Sequence, residues 1–260
     1  MSMQPASSSL SAWLSTPLGA YLLEAELRYF DQELADLFGF NAFQLGLPEF
    51  DFLRANRMPY RWVTGMQGPV RLQSDLCALP IQSAVADLVV LPHALEFSSN
   101  PHQVLREVSR ILMPEGHVVL SGFNPWSLWG VRRLSNRGEG VYPWCGQFIN
   151  LPRIKDWMAL LGFELAGGRM CCYAPPFAAE KWFHRFDSME ASGDRWWPFA
   201  GGIYFLHGIK RVQGMRIITP KWKSAEVKKK ALAPVPHKTN GHDDALAARK
   251  RDFAGDSEAE

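Results

Sequence analysis

The stretch VADLVVLPHALEFSSNPHQVLREVSRILMPEGHVVLSGF, Val85–Phe123, decides the fold. Val85–Pro92 is a near-continuous aliphatic run, the pattern of a strand covered on both faces in a parallel sheet. Asn100-Pro101 then reads as a capping residue followed by proline at the first helical position. Val104, Leu105, Val108, Ile111 and Leu112 share one face of that helix, and Pro114–Gly116 ends it. Gly116–Phe123 is the next strand. Strand, helix and strand in succession form a right-handed crossover, so the fold class is α/β with a mostly parallel sheet.

Upstream, Thr16-Pro17 opens an amphipathic helix that carries Leu22, Leu23, Leu27, Phe30, Leu34 and Leu37 to Gly39. Short strands are expected at Asn41–Gly46 and Tyr60–Gly65. Downstream, a helix runs from Leu151-Pro152 through Leu161 and is closed by Gly162, and FELAGGRMCCYA forms a strand. GIYFLHGIKR, Gly202–Arg211, alternates well enough for a last, antiparallel edge strand. The expected organisation is a flexible N-terminus (1–15), one domain (16–218) with an aromatic, turn-rich insertion at about 174–201, and a disordered tail (219–260).

The 260 residues are 47% hydrophobic and 21% charged, which excludes a wholly disordered or collagen-like chain. Net charge is +2, but Lys210–Lys230 holds eight basic residues and one acid, a local +7 against −5 for the rest. The plain reading of that run is a solvated segment. The sharper one is a tether for RNA or DNA, against which stands a single ring, Trp222, between Ile209 and Pro236. Cys77, Cys145, Cys171 and Cys172 make no CxxC pair and have no histidine at metal spacing, so no zinc site is expected. No apolar run approaches the ~18 to 20 residues of a membrane span, and Pro17, Glu24 and Glu26 interrupt any secretory signal pattern, so a cytoplasmic setting without membrane contact is expected.

SDLCALPI, then ADLVVLPHALEF, then NPHQVLREVSRILMPEGHVVLSGFNP, together Ser74–Pro125, resemble the second half of a class I S-adenosylmethionine-dependent methyltransferase domain of the type 11 group. The resemblance implies a Rossmann-like, doubly wound seven-stranded sheet, mostly parallel with the last strand antiparallel. It also implies S-adenosyl-L-methionine as cofactor, held at the carboxyl ends of the strands. Asp75, ending the third strand, would face the adenine amino group with the Leu76 amide near the ring, and Pro92 and His93 would line the methionine end.

The first half departs from the family pattern. The glycine-rich turn after strand one appears here as QLGLPEF, where Gly46 survives, Leu47 adds bulk and Pro48 removes an amide donor. The acid that ends strand two in the family is replaced by Thr64 or Gly65. Glu49 and Asp51 could take over the ribose hydroxyls, and equally suit solvent-facing acids at a helix start. Cofactor contacts are therefore expected at Gly46, Leu47, Asp75, Leu76, Pro92 and His93.

Methyl transfer from a sulfonium needs alignment more than acid–base help. If a base is used, His93 is the first choice by position, its alternative being a satisfied polar residue at a strand end. Tyr142, His184 and His207 are weaker candidates. Trp126, Trp129, Trp144, Trp182, Trp196 and Trp197 read chiefly as packing and secondarily as a lid, and Arg132, Arg133 and Arg137 as surface groups before anion binders. The leading expectation is a methyltransferase acting on an unidentified acceptor. Its rival is a catalytically inactive, methyltransferase-shaped interaction protein.

Overall fold

The computed structural model describes residues 9–135, 141–176 and 199–212. By its contacts the chain divides after Gly214; every described residue lies in the first unit, Met1–Gly214. Seven strands, β1 (Asn41–Leu45), β2 (Tyr60–Gly65), β3 (Leu72–Gln73), β4 (Ala86–Pro92), β5 (Leu112–Phe123), β6 (Phe163–Cys171) and β7 (Ile203–Lys210), form one sheet in the order β3-β2-β1-β4-β5-β7-β6. Neighbours pair in parallel from β3 to β5, and β7 runs antiparallel to both β5 and β6.

Helices cover both faces. Leu88 and Val90 of β4 pack with Leu18, Leu22 and Phe30 of α2 (Pro17–Leu34) on one side, together with Trp13 of α1 (Leu10–Leu14) and Trp129 of α4 (Leu128–Ser135). Val89 and Leu91 point the other way, into Val104, Leu105 and Val108 of α3 (Pro101–Ile111) and Ile154 and Met158 of α5 (Leu151–Leu160). That two-sided burial is why β4 reads as an unbroken aliphatic run rather than an alternating one. The caps are where the sequence puts them: the Thr16 hydroxyl accepts from Gly19 N–H at 3.2 Å and the Asn100 side chain from Gln103 N–H at 3.1 Å.

Several boundaries differ from the sequence expectation. β7 is antiparallel as expected but is not an edge strand; it sits between β5 and β6 and is buried from Ile203 to Gly208. Its alternation separates two buried faces: Ile203 and Phe205 join the α2 side, Tyr204 and Leu206 the α3 side. The edge is β6, exposed from Glu164 to Arg169. α3 stops at Ile111 rather than at Pro114, because Leu112 already pairs with Ala86 in the sheet. Leu10–Leu14, grouped by composition with the N-terminal segment, forms α1 and buries Trp13 and Leu14. α4 had no counterpart in the sequence reading. Most of the aromatic insertion, including Trp182, His184, Trp196 and Trp197, lies outside the described residues, as do Arg137 and the basic run beyond Val212.

Candidate cofactor cleft

The carboxyl ends of β1, β2 and β4 open onto a cleft of about 510 Å³, within the size range of small-molecule sites. All six residues expected at the cofactor, Gly46, Leu47, Asp75, Leu76, Pro92 and His93, line it. Ser9–Ser11, Pro48, Glu49, Gly65–Gln67, Ala94, Phe97–Ser99 and Tyr142 complete the wall. Tyr142 reaches it although nothing in its spacing pointed there, through a ring contact with Phe97 at 5.2 Å.

The first turn shows how the chain manages with one of the usual glycines. Gly46 has φ of 96°, a backbone state that favours glycine, and a Cβ there would meet nothing closer than the Ala94 side chain at 3.7 Å. The peptide is therefore bare toward the cleft. Leu47 is also left-handed, at 45°, and something must hold it there. Gln44, fully buried in β1, supplies the hold. Its side-chain amide donates toward the carbonyls of Gly46 (3.1 Å), Leu47 (3.0 Å) and Phe50 (2.8 Å), and its oxygen accepts from Phe52 N–H at 3.0 Å. A buried amide thus organises the loop that repeated glycines would otherwise shape. The available signal was a polar side chain inside an otherwise apolar strand, NAFQL.

At the second strand the hydroxyl of Thr64 is buried without a hydrogen-bond partner, and Gly65 faces the cleft. No acid ends β2. Asp75 sits at the end of β3 with its Oδ1 accepting from Cys77 N–H at 2.9 Å. Behind it Glu107, held low by its hydrogen bonds from Arg110, accepts from Leu79 N–H at 3.0 Å, while Arg110 donates to Leu79 and Ile81 carbonyls at 2.9 and 2.7 Å. These contacts tie the Asp75–Ser83 loop to α3.

His93 does not fit the role of general base. Its side chain is fully buried, with the ring stacked 4.3 Å from Phe123, so only its backbone can face the cleft. Nδ1 lies 2.6 Å from Glu96 Oε2, and Nε2 stands 3.0 Å from Glu26 Oε1, out of line for a hydrogen bond but within ion-pair distance. Burial alone would push the imidazole down; the carboxylates of Glu26 and Glu96 outweigh it and lift the ring to about 10. The ring is thus held toward its protonated form, with Nδ1 and Nε2 both turned to acids rather than to the cleft. Burial raises the Glu96 carboxyl despite His93 and a hydrogen bond from Phe123 N–H. The residue's left-handed φ of 49° is fixed by this side-chain clamp and by the Ser121 hydroxyl, which accepts from His93 N–H at 3.3 Å. Neither Glu26 nor Glu96 was legible as its partner, since Glu26 reaches it from α2 and reads only as one acid of an amphipathic helix.

Of the remaining candidates among the described residues, most make packing or pairing contacts away from the cleft. Trp129 and Trp144 are buried and packed 6.1 Å apart, whereas Trp126 is exposed. Arg132 and Arg133 lie over the Trp144 and Phe148 rings at 5.2 and 5.0 Å. His207 Nδ1 is 2.6 Å from Glu33 and its Nε2 is 2.9 Å from His117. Lys210 donates to the Ser109 and Leu112 carbonyls, and Arg211 pairs with Glu115 and Glu164. Two charges of the basic run are thus committed to the fold. Among the described residues no cluster of metal-binding side chains occurs, and no helix is long and apolar enough to cross a membrane.

Comparison with known proteins agrees with the fold. Residues 54–120 match the family model of a methyltransferase domain. The chain is 31% identical over 155 residues to a protein of Escherichia coli (strain K12) described as uncharacterized protein YafS, covering 59% of this chain and 65% of that one. It is 29% identical over 83 residues to demethylmenaquinone methyltransferase of Chlamydia pneumoniae, covering 30% and 35%. The chain thus spans less than two thirds of the length of either relative. In fold it matches a SAM-dependent methyltransferase of Thermotoga maritima with a TM-score of 0.53 at 14% identity, over 74% of this chain and 93% of that one. The resemblance to class I S-adenosylmethionine-dependent methyltransferases drawn from Ser74–Pro125 holds in both the domain match and the fold.

Proposed function

We propose that this chain binds S-adenosyl-L-methionine in the cleft above Gly46 and transfers its methyl group to an acceptor. The observation that carries the reading is that the cleft is open: Leu47 and Pro48 stand in its wall and leave about 510 Å³ beside the bare Gly46 peptide. The residues suit the group. Gly46 and Leu47 would bound the amino-acid end with Pro92 and the His93 backbone, and Asp75 and Leu76 the adenine end. The cofactor supplies an activated methyl on sulfur whose displacement is favourable without acid–base assistance. The chain's part is to orient donor and acceptor and to exclude water. The burial and positive charge of His93 support this division, because they leave it to clamp the turn after β4.

Isothermal titration with S-adenosylmethionine and S-adenosylhomocysteine tests the reading. Heat with a one-to-one endpoint is expected, and no heat at millimolar ligand with folded protein would overturn it. The non-catalytic alternative draws on Pro48 and on the absence of an acid at Gly65; it gains if both ligands bind but isotope from a labelled methyl group reaches no acceptor in cell extract. The reducing cytoplasm is the inferred setting, supported by the free thiols of Cys77 and Cys145.

A further inference from the structure

A nucleoside ligand in this cleft would bring two adjacent ribose hydroxyls, which are best met by an acceptor-only carboxylate with two oxygens. Strand β2 offers none, since Thr64 is buried and Gly65 has no side chain. Two carboxylates line the described cleft, Glu49 and Asp75, and Asp75 belongs to the end of β3. Asp51, the other acid of the first loop, is absent from the cleft wall; its Oδ1 accepts from Leu53 N–H at 3.0 Å and shapes the following turn.

Glu49 is placed differently. Gly46 N–H donates to the Thr64 carbonyl at 2.9 Å, so the first loop leaves β1 alongside the tip of β2. Pro48 then leans on the β2–β3 turn, where a Cβ on Gly68 would lie 2.7 Å from its ring. The same point is 3.4 Å from Glu49 Oε1, which brings the carboxylate to the side of the cleft made by Gly65, Met66 and Gln67. Among the described residues Glu49 forms neither a hydrogen bond nor an ion pair. The loop that reaches it is the one pinned by Gln44.

We propose that Glu49, presented from the loop after β1, is the residue that holds the ribose hydroxyls of the nucleoside ligand, replacing an acid at the end of β2. The proline that removes an amide donor from the first turn then has a use: it fixes the direction in which Glu49 leaves the loop. The inference rests on the cofactor reading above, deepens it, and can fail separately from it.

The test is calorimetric binding of S-adenosylhomocysteine and of its 2′,3′-dideoxyribose analogue to the full chain and to Glu49→Gln. With hydrogen bonds to a charged group at stake, Glu49→Gln is expected to weaken S-adenosylhomocysteine by about ten- to a hundred-fold. The analogue is expected to bind both proteins alike and weakly, because the group that Glu49 contacts is gone. An unchanged melting temperature will show that Glu49→Gln is folded. Equal binding of S-adenosylhomocysteine by both proteins overturns the proposal, as do losses that add in full when both changes are made. Absence of S-adenosylhomocysteine binding by the unaltered chain overturns the cofactor reading and this inference with it.

Discussion

Replacing His93 by leucine fills a similar volume beside Phe123 but removes the cation between Glu26 and Glu96, leaving two buried carboxylates facing one another. Breaking a buried ion pair by deleting one partner costs about 3–5 kcal/mol. The lift of His93 from 6.5 to about 10 corresponds to roughly 5 kcal/mol, an upper figure of the same size. Because the folded value lies above the unfolded one, this stabilisation is fully present below pH 6.5 and is lost as pH rises through 10. Burial raises Glu96 as well, so it too holds its proton more tightly in the folded chain than in the unfolded one. Urea unfolding followed by tryptophan fluorescence at pH 6.5, 8 and 9.5 measures it. His93→Leu is expected to lower stability by about 3–5 kcal/mol at pH 6.5, with the gap from the unaltered chain narrowing toward pH 9.5. A loss below about 1 kcal/mol, in the range of an exposed substitution, refutes the clamp.

Three further outcomes are expected. Gln44→Leu strands the buried Phe52 N–H and frees the first loop, lowering stability by about 2–3 kcal/mol and raising amide exchange across Gly46–Phe52, measured by mass spectrometry. Gly46→Val forces a branched side chain to φ of 96°, costing about 1–3 kcal/mol and abolishing the titration heat with S-adenosylmethionine. Glu107→Ala releases Leu79 N–H and Arg110, and should weaken nucleoside binding several-fold while the melting temperature falls by only a few degrees; an unchanged affinity would detach the Asp75–Ser83 loop from the site.

Much of the sheet was legible because its determinants are local. β2 begins and ends where the turn residues put it, and α2 and α3 open at Thr16-Pro17 and Asn100-Pro101 because a side-chain cap and a proline act within one turn. The place of β7 was not legible, since alternation records two faces without saying whether a neighbour lies on each side. α4 was missed although Ser127 caps it, its hydroxyl accepting from Gly130 N–H at 3.3 Å, because eight residues with only Trp129 and Gly130 buried show too little periodicity to mark a helix. At the cleft the six expected residues converge because strand ends of an open α/β sheet meet at one rim. The meaning of His93 changed because its charge is set by α2 and the turn after β4, elements that a linear reading cannot bring together. Gln44 escaped because an amide in a strand gives no sign of which carbonyls it will serve.

The two margins of the sheet carry a consequence for behaviour at high concentration. On one side β3 is only two residues long, and on the other β6 is broken in register between Leu165 and Gly167. A foreign strand seeking a template finds one rail too short and the other bent. Self-association by strand addition should therefore be rare in the native state, and aggregation on heating should follow the loss of the β6–β7 pairing, which would uncover the long apolar flank of β7.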